Sequence, residues 1–157
     1  MTRGRCEEIT PYHFYGWETA DCAPADPKVR EKIKDPRQLY DVLITCFSEE
    51  TCAPRLRAEW TVANPTLGQC SVTAFLVQDL FGGKVYGIRR PDGNFHCYNE
   101  AGGCVFDLTS EQFGEEASEL VYENNPQQRR ETHFAKKEKY ERYLLLKKRL
   151  YEKLDLS

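Results

Sequence analysis

Near its middle the chain reads Gly68-Gln69-Cys70-Ser71-Val72-Thr73-Ala74-Phe75-Leu76-Val77-Gln78-Asp79-Leu80-Phe81-Gly82-Gly83. Apolar side chains occur around most of the circumference of a helix drawn through residues 70–81, which is typical of a helix buried at the centre of a domain. The two glycines that follow Phe81 provide a C-terminal stop. The sequence therefore predicts a central helix over residues 70–81 with Cys70 at its N-terminus.

Three short strands are predicted directly after this helix, over residues 84–89, 95–99 and 104–109. The segments are separated by Pro91-Asp92-Gly93-Asn94 and by Ala101-Gly102-Gly103, both of which are turn sequences. Consecutive strands joined by short turns pair antiparallel. We therefore expect a small antiparallel meander beside the central helix.

Further helices are predicted on both sides of this core. Asp35 is a typical N-cap followed by Pro36 in the first turn of a helix that reaches about Phe47. Tyrosines and leucines at helical spacing predict a second flanking helix over residues 131–154. The expected fold class is α+β, with an irregular extension at 1–34, a core at 35–130 and a basic C-terminal helix at 131–157 packed on the same domain.

The composition excludes several classes of protein. With 40% hydrophobic and 30% charged residues the chain is typical of a globular domain. No stretch approaches the roughly 18 apolar residues of a membrane span, and the charged start does not fit a signal peptide, so we expect a cytoplasmic protein. The seven cysteines lack paired spacing and are interpreted as reduced thiols. Their spacings do not match a structural zinc site, and no metal or cofactor is expected.

The charge of the chain is unevenly distributed. Residues 131–154 carry eight Lys or Arg and four Glu, a net charge of +4, whereas residues 1–130 carry fourteen basic and twenty acidic residues, a net charge of −6. The C-terminal helix could therefore bind an acidic protein partner, although interspersed Glu and Lys are more often a solvated face. Nucleic-acid binding is not expected from this pattern.

Cys70 is the candidate nucleophile. The partial positive charge at a helix N-terminus stabilises a thiolate over a thiol and lowers the cysteine pKa. A lone cysteine at such a position is more often a small buried hydrophobic residue, so the interpretation depends on partners.

The second hairpin supplies two such partners. A turn centred on Ala101 and Gly102 places His96 directly opposite Asp107, with Cβ atoms about 4.5–5.5 Å apart. An Asp at that distance accepts the imidazole N–H and fixes the tautomer of the ring. The alternative is an ordinary ion pair on a surface hairpin.

Together these residues predict a catalytic triad. In this mechanism His96 takes the proton of Cys70, Asp107 orients the imidazole, and the thiolate attacks a carbonyl to form a thioester. Backbone N–H groups at the helix start form one side of an oxyanion hole, and Gln69 or Asn64 is the candidate side-chain donor.

A family resemblance rests on three stretches: Trp60-Thr61-Val62-Ala63-Asn64-Pro65-Thr66-Leu67-Gly68-Gln69-Cys70-Ser71-Val72-Thr73-Ala74-Phe75-Leu76-Val77-Gln78-Asp79, His96-Cys97-Tyr98-Asn99 and Asp107-Leu108-Thr109-Ser110-Glu111-Gln112-Phe113. Over residues 39–113 the chain resembles the bacterial YunG-like family of uncharacterised small proteins, a resemblance that implies no particular activity.

The order of Cys on a helix, His on a strand and Asp on the next strand is also similar to the papain-like superfamily, which includes NlpC-type peptidases, transglutaminases and arylamine acetyltransferases. This similarity implies a papain-like or NlpC-like fold with Cys70 as nucleophile, His96 as base and Asp107 as orienting residue. Papain-like enzymes usually place an oxyanion glutamine several residues before the cysteine, where this chain has Asn64, and its glutamine, Gln69, is adjacent to the cysteine.

The leading functional hypothesis is a thiol hydrolase or acyl transferase acting on an amide or thioester, such as a peptide or a glutamine side chain. A glutamine deamidase or transglutaminase-like enzyme requires the same triad. The alternative outside enzymes is a binding module on a papain-like scaffold that docks through the helix at 131–154.

Overall fold

The computed structural model describes residues 13–156 of the chain. Its regular elements are α1 (Pro27–Arg30), α2 (Pro36–Leu43), α3 (Cys70–Phe81), β1 (Lys84–Arg89), β2 (Phe95–Ala101), β3 (Cys104–Phe106), α4 (Arg130–Phe134) and α5 (Lys137–Lys153). Short 3-10 helices occupy Trp17–Thr19, Glu49–Thr51, Pro54–Glu59 and Ser110–Glu119. The predicted α+β class is confirmed, with a three-stranded antiparallel sheet and several helices.

Helix α3 is the centre of the fold and has the predicted bounds. It packs against β2 on one side and against α5 on the other. Val72, Phe75 and Leu76 are completely buried, as a helix that is apolar around most of its surface requires. Gly82 ends the helix with a φ of 79°, a conformation that glycine adopts without strain. The N-terminus of α3, where Cys70 lies, is consequently held against the start of β2.

The sheet has the order β1-β2-β3, but the register predicted for the second hairpin is wrong. Ala101 pairs with Cys104 and Asn99 with Phe106, so the turn consists of Gly102 and Gly103 and the pairing is shifted by two residues. Both glycines have positive φ, 57° and 81°, as the favoured two-residue hairpin turn requires. Because side chains alternate with a period of two, this shift leaves each residue on its predicted face.

The flanking helices follow the prediction in part. Asp35 caps α2 by accepting a hydrogen bond from the Gln38 amide at 3.1 Å, as predicted. The single helix predicted over 131–154 is wrong, because the chain forms α4 and α5 with a break at Ala135 and Lys136. The break allows the ring of Phe134 to pack 4.6 Å from that of Tyr143 on α5 and 5.3 Å from that of Phe75 on α3.

The first part of the chain contributes to the same core. Phe14, Ala20, Val29 and Ile33 are each at most 2% exposed and belong to the cluster around α3. Residues 1–12 of the predicted extension lie outside the described residues. Within residues 13–156 no helix has both the length and the apolar character needed to cross a membrane.

Gly83→Ala is expected to destabilise the fold more than Gly103→Ala. Both glycines have φ near 80°, a conformation that costs other residues about 1–2 kcal/mol. A Cβ on Gly83 would lie 2.0 Å from the carbonyl oxygen of Glu100, whereas one on Gly103 would meet nothing within 4 Å. We expect a loss of about 1 kcal/mol for Gly103→Ala and roughly 3 kcal/mol or more for Gly83→Ala in urea unfolding. Equal losses would contradict the close approach of α3 and β2 at this turn.

Candidate active site

Cys70 opens onto a cavity at the end of the sheet. Its side chain is partly exposed and lines a cavity of about 500 Å³ between the start of α3, the start of β2 and the region around α4 and the first turns of α5. Its thiol lies 3.8 Å from the carbonyl oxygen of Phe95. The helix N-terminus favours the thiolate form, and the cavity gives a substrate access to the sulfur.

His96 and Asp107 form a direct contact in the interior. Nε2 of His96 lies 2.5 Å from Oδ2 of Asp107, and the two side chains are only 2% and 1% exposed. The contact is diagonal rather than directly cross-strand, because β3 ends at Phe106 and Asp107 pairs with Tyr15. The structure therefore brings the two residues together by a route that differs from the predicted register.

The carboxylate of Asp107 is held by further hydrogen bonds. The hydroxyl of Tyr122 donates to Oδ2 at 2.6 Å, and the amide and hydroxyl of Thr109 donate to Oδ1 at 3.1 and 3.3 Å. Phe113 packs edge-on against the imidazole with ring centroids 4.8 Å apart. A buried carboxylate needs such donors, because an unsatisfied charge in the interior is costly.

These surroundings make His96 strongly basic. Burial by itself lowers the pKa of His96, but the charge and hydrogen bond of Asp107 and the nearby Cys70 thiolate outweigh burial and raise the pKa to about 10. The imidazole is therefore protonated at neutral pH. Because its pKa is raised above the unfolded value, the stabilisation is complete below about pH 6.5 and is lost as the pH rises through about 10.

Cys70 is correspondingly acidic. A polar contact from the Cys97 thiol, acting against burial, together with the contact and charge of His96, lowers the pKa of Cys70 well below its ordinary value. The same contact, together with burial, raises the pKa of Cys97, which is 1% exposed. Cys70 is thus the thiol of the two that ionises first, and these opposite pKa shifts favour a thiolate and imidazolium pair.

The contact between Cys70 and His96 is close without being a well-formed hydrogen bond. Nδ1 of His96 is buried and has no hydrogen-bond partner of good geometry among residues 13–156. This nitrogen is the one that Asp107 leaves free. Catalytic hydrogen bonds are often long or poorly aligned before substrate binds, and Nδ1 is available to exchange a proton with a group held at Cys70.

The two oxyanion candidates lie outside the cavity wall. The amide Nε2 of Gln69 donates to the carbonyl of Ser48 at 3.1 Å, and this residue does not line the cavity. Asn64 lies in a turn that begins at Thr61. The cavity is instead lined by Gln112, whose Oε1 accepts from the Gly68 amide at 3.3 Å and whose Nε2 donates to the carbonyl of Thr109 at 2.9 Å.

Three residues that sequence reasoning missed complete the site: Gln112, Phe113 and Tyr122. Gln112 and Phe113 lie in the same quoted stretch as Asp107, so their proximity was open to prediction. Tyr122 lies beyond that stretch, and nothing in its local sequence signals the contact. No group of three or more His, Cys, Asp or Glu side chains within residues 13–156 is arranged to hold a metal ion.

Asp107→Asn is expected to reverse the ionisation of His96. Without the carboxylate charge, burial dominates and the pKa of His96 should fall from about 10 to below 6.5. The pKa is measured from the pH dependence of the imidazole C–H resonances in NMR spectra. Asp92→Asn, at an exposed turn carboxylate, is the control and should leave the His96 titration unchanged.

Removing one partner of a buried ion pair costs about 3–5 kcal/mol, so circular dichroism must first show that Asp107→Asn is folded. Whether or not the variant folds, the NMR titration of His96 in the wild-type protein tests the assigned pKa. A wild-type His96 resonance that titrates near pH 6.5 would contradict the assigned ionisation.

Comparison with known proteins agrees with the sequence resemblance. The family model for the YunG protein matches residues 35–155. The uncharacterized protein YunG of Bacillus subtilis (strain 168) is 42% identical over 74 residues, which is 47% of this chain and 61% of the relative. The match thus covers less than two thirds of that relative's length. No solved structure matches the chain. Because the family model covers most of the chain, including Cys70, His96 and Asp107, the protein belongs to the YunG family.

Proposed function

We propose that this protein is a cysteine-dependent hydrolase or acyl transferase that acts on an amide or thioester. The observation that carries the proposal is the buried His96 and Asp107 pair beside a partly exposed thiol at a helix N-terminus. A His96 and Asp107 pair that only stabilised the fold would not need the Cys70 thiol near Nδ1, the imidazole nitrogen that Asp107 does not contact. The proposed residues are Cys70 as nucleophile, His96 as acid and base, and Asp107 as orienting residue.

The chemistry follows from the ionised pair. The Cys70 thiolate attacks the carbonyl carbon, a C–S bond forms, and the C–N or C–S bond to the leaving group breaks. His96 gives its Nδ1 proton to the departing amine or thiol. Water or an acceptor then attacks the thioester, His96 takes back a proton, and the thiolate is restored. Asp107 stabilises the imidazolium throughout the cycle.

The developing oxyanion needs hydrogen-bond donors close to Cys70. The first backbone N–H groups of α3 have no acceptor within the helix, and they point toward the N-terminal end where the thiol lies. Gln112 lines the cavity, and one N–H of its amide donates to the carbonyl of Thr109, so its second N–H is the candidate side-chain donor. Gln69 or Asn64 would first have to turn toward the cavity.

The papain-like or NlpC-like fold is part of the same proposal. A helix that carries the cysteine packs on an antiparallel sheet that carries the histidine, and this arrangement supports the analogy. We also propose a reducing, cytoplasmic location, because Cys22, Cys46, Cys52, Cys70, Cys97 and Cys104 are all free thiols.

Two other functions share this geometry. Glutamine deamidation or a transglutaminase-like reaction uses the same triad and differs only in the amide attacked and in the acceptor. A binding module would retain the cavity without using the thiol, and the absence of a well-formed bond between Cys70 and Nδ1 of His96 favours that alternative. Reactivity of Cys70 separates the module from the enzymes.

Iodoacetamide is expected to alkylate Cys70 at least about tenfold faster than Cys104 at pH 6, because an unactivated thiol is largely protonated there. Cys104 is the control thiol, since it is also partly exposed but lies on β3 away from the cavity. Peptide mass spectrometry measures both rates in one sample. His96→Asn should remove the advantage of Cys70, and equal rates in the wild-type protein would support the binding module.

A reactive thiol must also form an acyl-enzyme. S-phenyl thioacetate should transfer one acetyl group to Cys70, observed as an increase in the intact mass of the protein. His96→Asn should slow this step about 100-fold or more. Absence of any acyl-enzyme from a Cys70 that alkylates rapidly would exclude the proposed acyl chemistry.

A further inference from the structure

We propose that the substrate carries a carboxylate close to the carbonyl that Cys70 attacks, and that Lys139 and Lys136 recognise it. The inference rests on the proposed function and adds the substrate class to it. It starts from the charged side chains on the cavity wall. Sequence analysis identified those of residues 131–154 only as part of a basic helix.

The cavity that contains Cys70 is strongly cationic. Its wall includes the basic side chains Arg55, Lys136, Lys139 and Arg142 and the single carboxylate Glu138. Apart from the Cys70 thiol, the remaining lining residues are uncharged, and they include the neutral His133 described below. A cleft with one sign of charge concentrates ligands of the opposite sign.

Two of these cations already have partners. Arg142 forms an ion pair with Glu138 and donates to the carbonyl of Thr51 at 3.1 Å. Arg55 lies 3.4 Å from the carboxylate of Asp92, and both side chains are about half exposed. These contacts leave Lys136 and Lys139 as the cations of the wall that have no carboxylate partner within residues 13–156.

Lys139 is held in place by a neutral acceptor. Its Nζ lies 2.9 Å from Nδ1 of His133, and Nε2 of His133 lies 2.8 Å from Oε1 of Gln128. Burial and the charge of Lys139 lower the pKa of His133 to about 4, so the imidazole is uncharged at neutral pH. The ring then accepts from the ammonium at Nδ1 and donates to Gln128 at Nε2. This relay fixes the position of the charge without neutralising it.

An unneutralised, partly buried ammonium is expensive for the fold. Burial lowers the pKa of Lys139, while the nearby Cys97 and Cys70 sulfurs raise it. A carboxylate bound beside Nζ would supply the counter-charge that Lys139 loses when Cys70 is acylated, in surroundings where water screens poorly. Because Lys139 and Cys70 line the same cavity, that carboxylate would belong to the molecule being attacked.

Lys139 could instead serve only to stabilise the Cys70 thiolate. The two roles differ in what they do to reagents of different charge. A thiolate stabiliser changes the reactivity toward every electrophile equally, whereas a carboxylate site discriminates between them. We therefore compare the alkylation rates of one thiol with iodoacetate and with iodoacetamide. The ratio of the two rates does not depend on the intrinsic reactivity of the thiol, because the reagents differ mainly in carrying a carboxylate or a neutral amide.

The expected result is a ratio of iodoacetate to iodoacetamide rates at Cys70 on the order of tenfold higher than at Cys104 in the same protein. Lys139→Gln should lower the Cys70 ratio about threefold to tenfold, and Lys136→Gln should lower it less. Lys139→Arg should preserve it. The matched control is Lys148→Gln, an exposed lysine on α5 that does not line the cavity and should leave the ratio unchanged.

Succinate should also protect Cys70 from iodoacetamide in the wild-type protein and lose this effect in Lys139→Gln. Equal protection by inorganic phosphate would replace the carboxylate with a general anion site and overturn the stated substrate class. A Cys70 that reacts rapidly with iodoacetamide but has the same reagent ratio as Cys104 would overturn the inference alone. A Cys70 that reacts no faster than Cys104 would overturn the proposed function first, so the two failures are distinguishable.

Discussion

The buried contact between His96 and Asp107 is the interaction on which the rest of the site depends. Two ionisable groups that are 98% or more removed from solvent are stable only if their remaining polar atoms are satisfied. Thr109 and Tyr122 provide this by donating to the two carboxylate oxygens. The segment between them, including the 3-10 turns of Ser110–Glu119 with their kink at Gly114, is therefore tied to the site at both ends. The same segment supplies Gln112 to the cavity wall.

The support for Asp107 reaches back to the start of the described chain. The amide of Asp107 donates to the carbonyl of Tyr15 at 3.0 Å, and the amide of Tyr15 donates to Oγ of Ser110 at 2.9 Å. The ring of Tyr15 stacks on that of Tyr122 with centroids 3.7 Å apart. Tyr15 thus forms an isolated antiparallel bridge with Asp107 just beyond the end of β3, and this bridge helps to position the Asp107 carboxylate.

The parts of the structure that were predictable from the sequence depend on local signals. Helix α3 follows from its apolar surface and its glycine stop, and α2 from the cap at Asp35. The hairpin register was open to local prediction, because the favoured two-residue turns need positive φ at the first central residue, which Gly102 adopts without strain and Ala101 does not. The break before α5 has no proline or glycine to signal it, since it depends on where the ring of Phe134 packs.

The candidate site divides in the same way. Cys70 was predictable from the start of its helix. His96 and Asp107 were predictable as a pair because a register shift of two residues leaves both side chains on the same face of the hairpin. Tyr122 and the pairing with Tyr15 were not, since both are contacts between segments that are distant in sequence. The positive charge of the cavity wall was detectable in the sequence as the net positive charge of residues 131–154. The inference of a substrate carboxylate required the structure, because the sequence does not show that Lys136 and Lys139 have no carboxylate partner within residues 13–156.

The distribution of charge around Cys70 connects the resting site with the proposed substrate. The favoured ionised pair places the Cys70 thiolate and the Asp107 carboxylate beside the His96 imidazolium, and Lys139 supplies a second positive charge. Acylation converts the thiolate into a neutral thioester and removes one negative charge from beside Lys139. A carboxylate on the acyl group would restore that charge at the step that consumes the thiolate. Lys139 therefore keeps a counter-charge after the attack only if the bound acyl group carries one. This favours a carboxylate on the acyl group over a carboxylate on the leaving group.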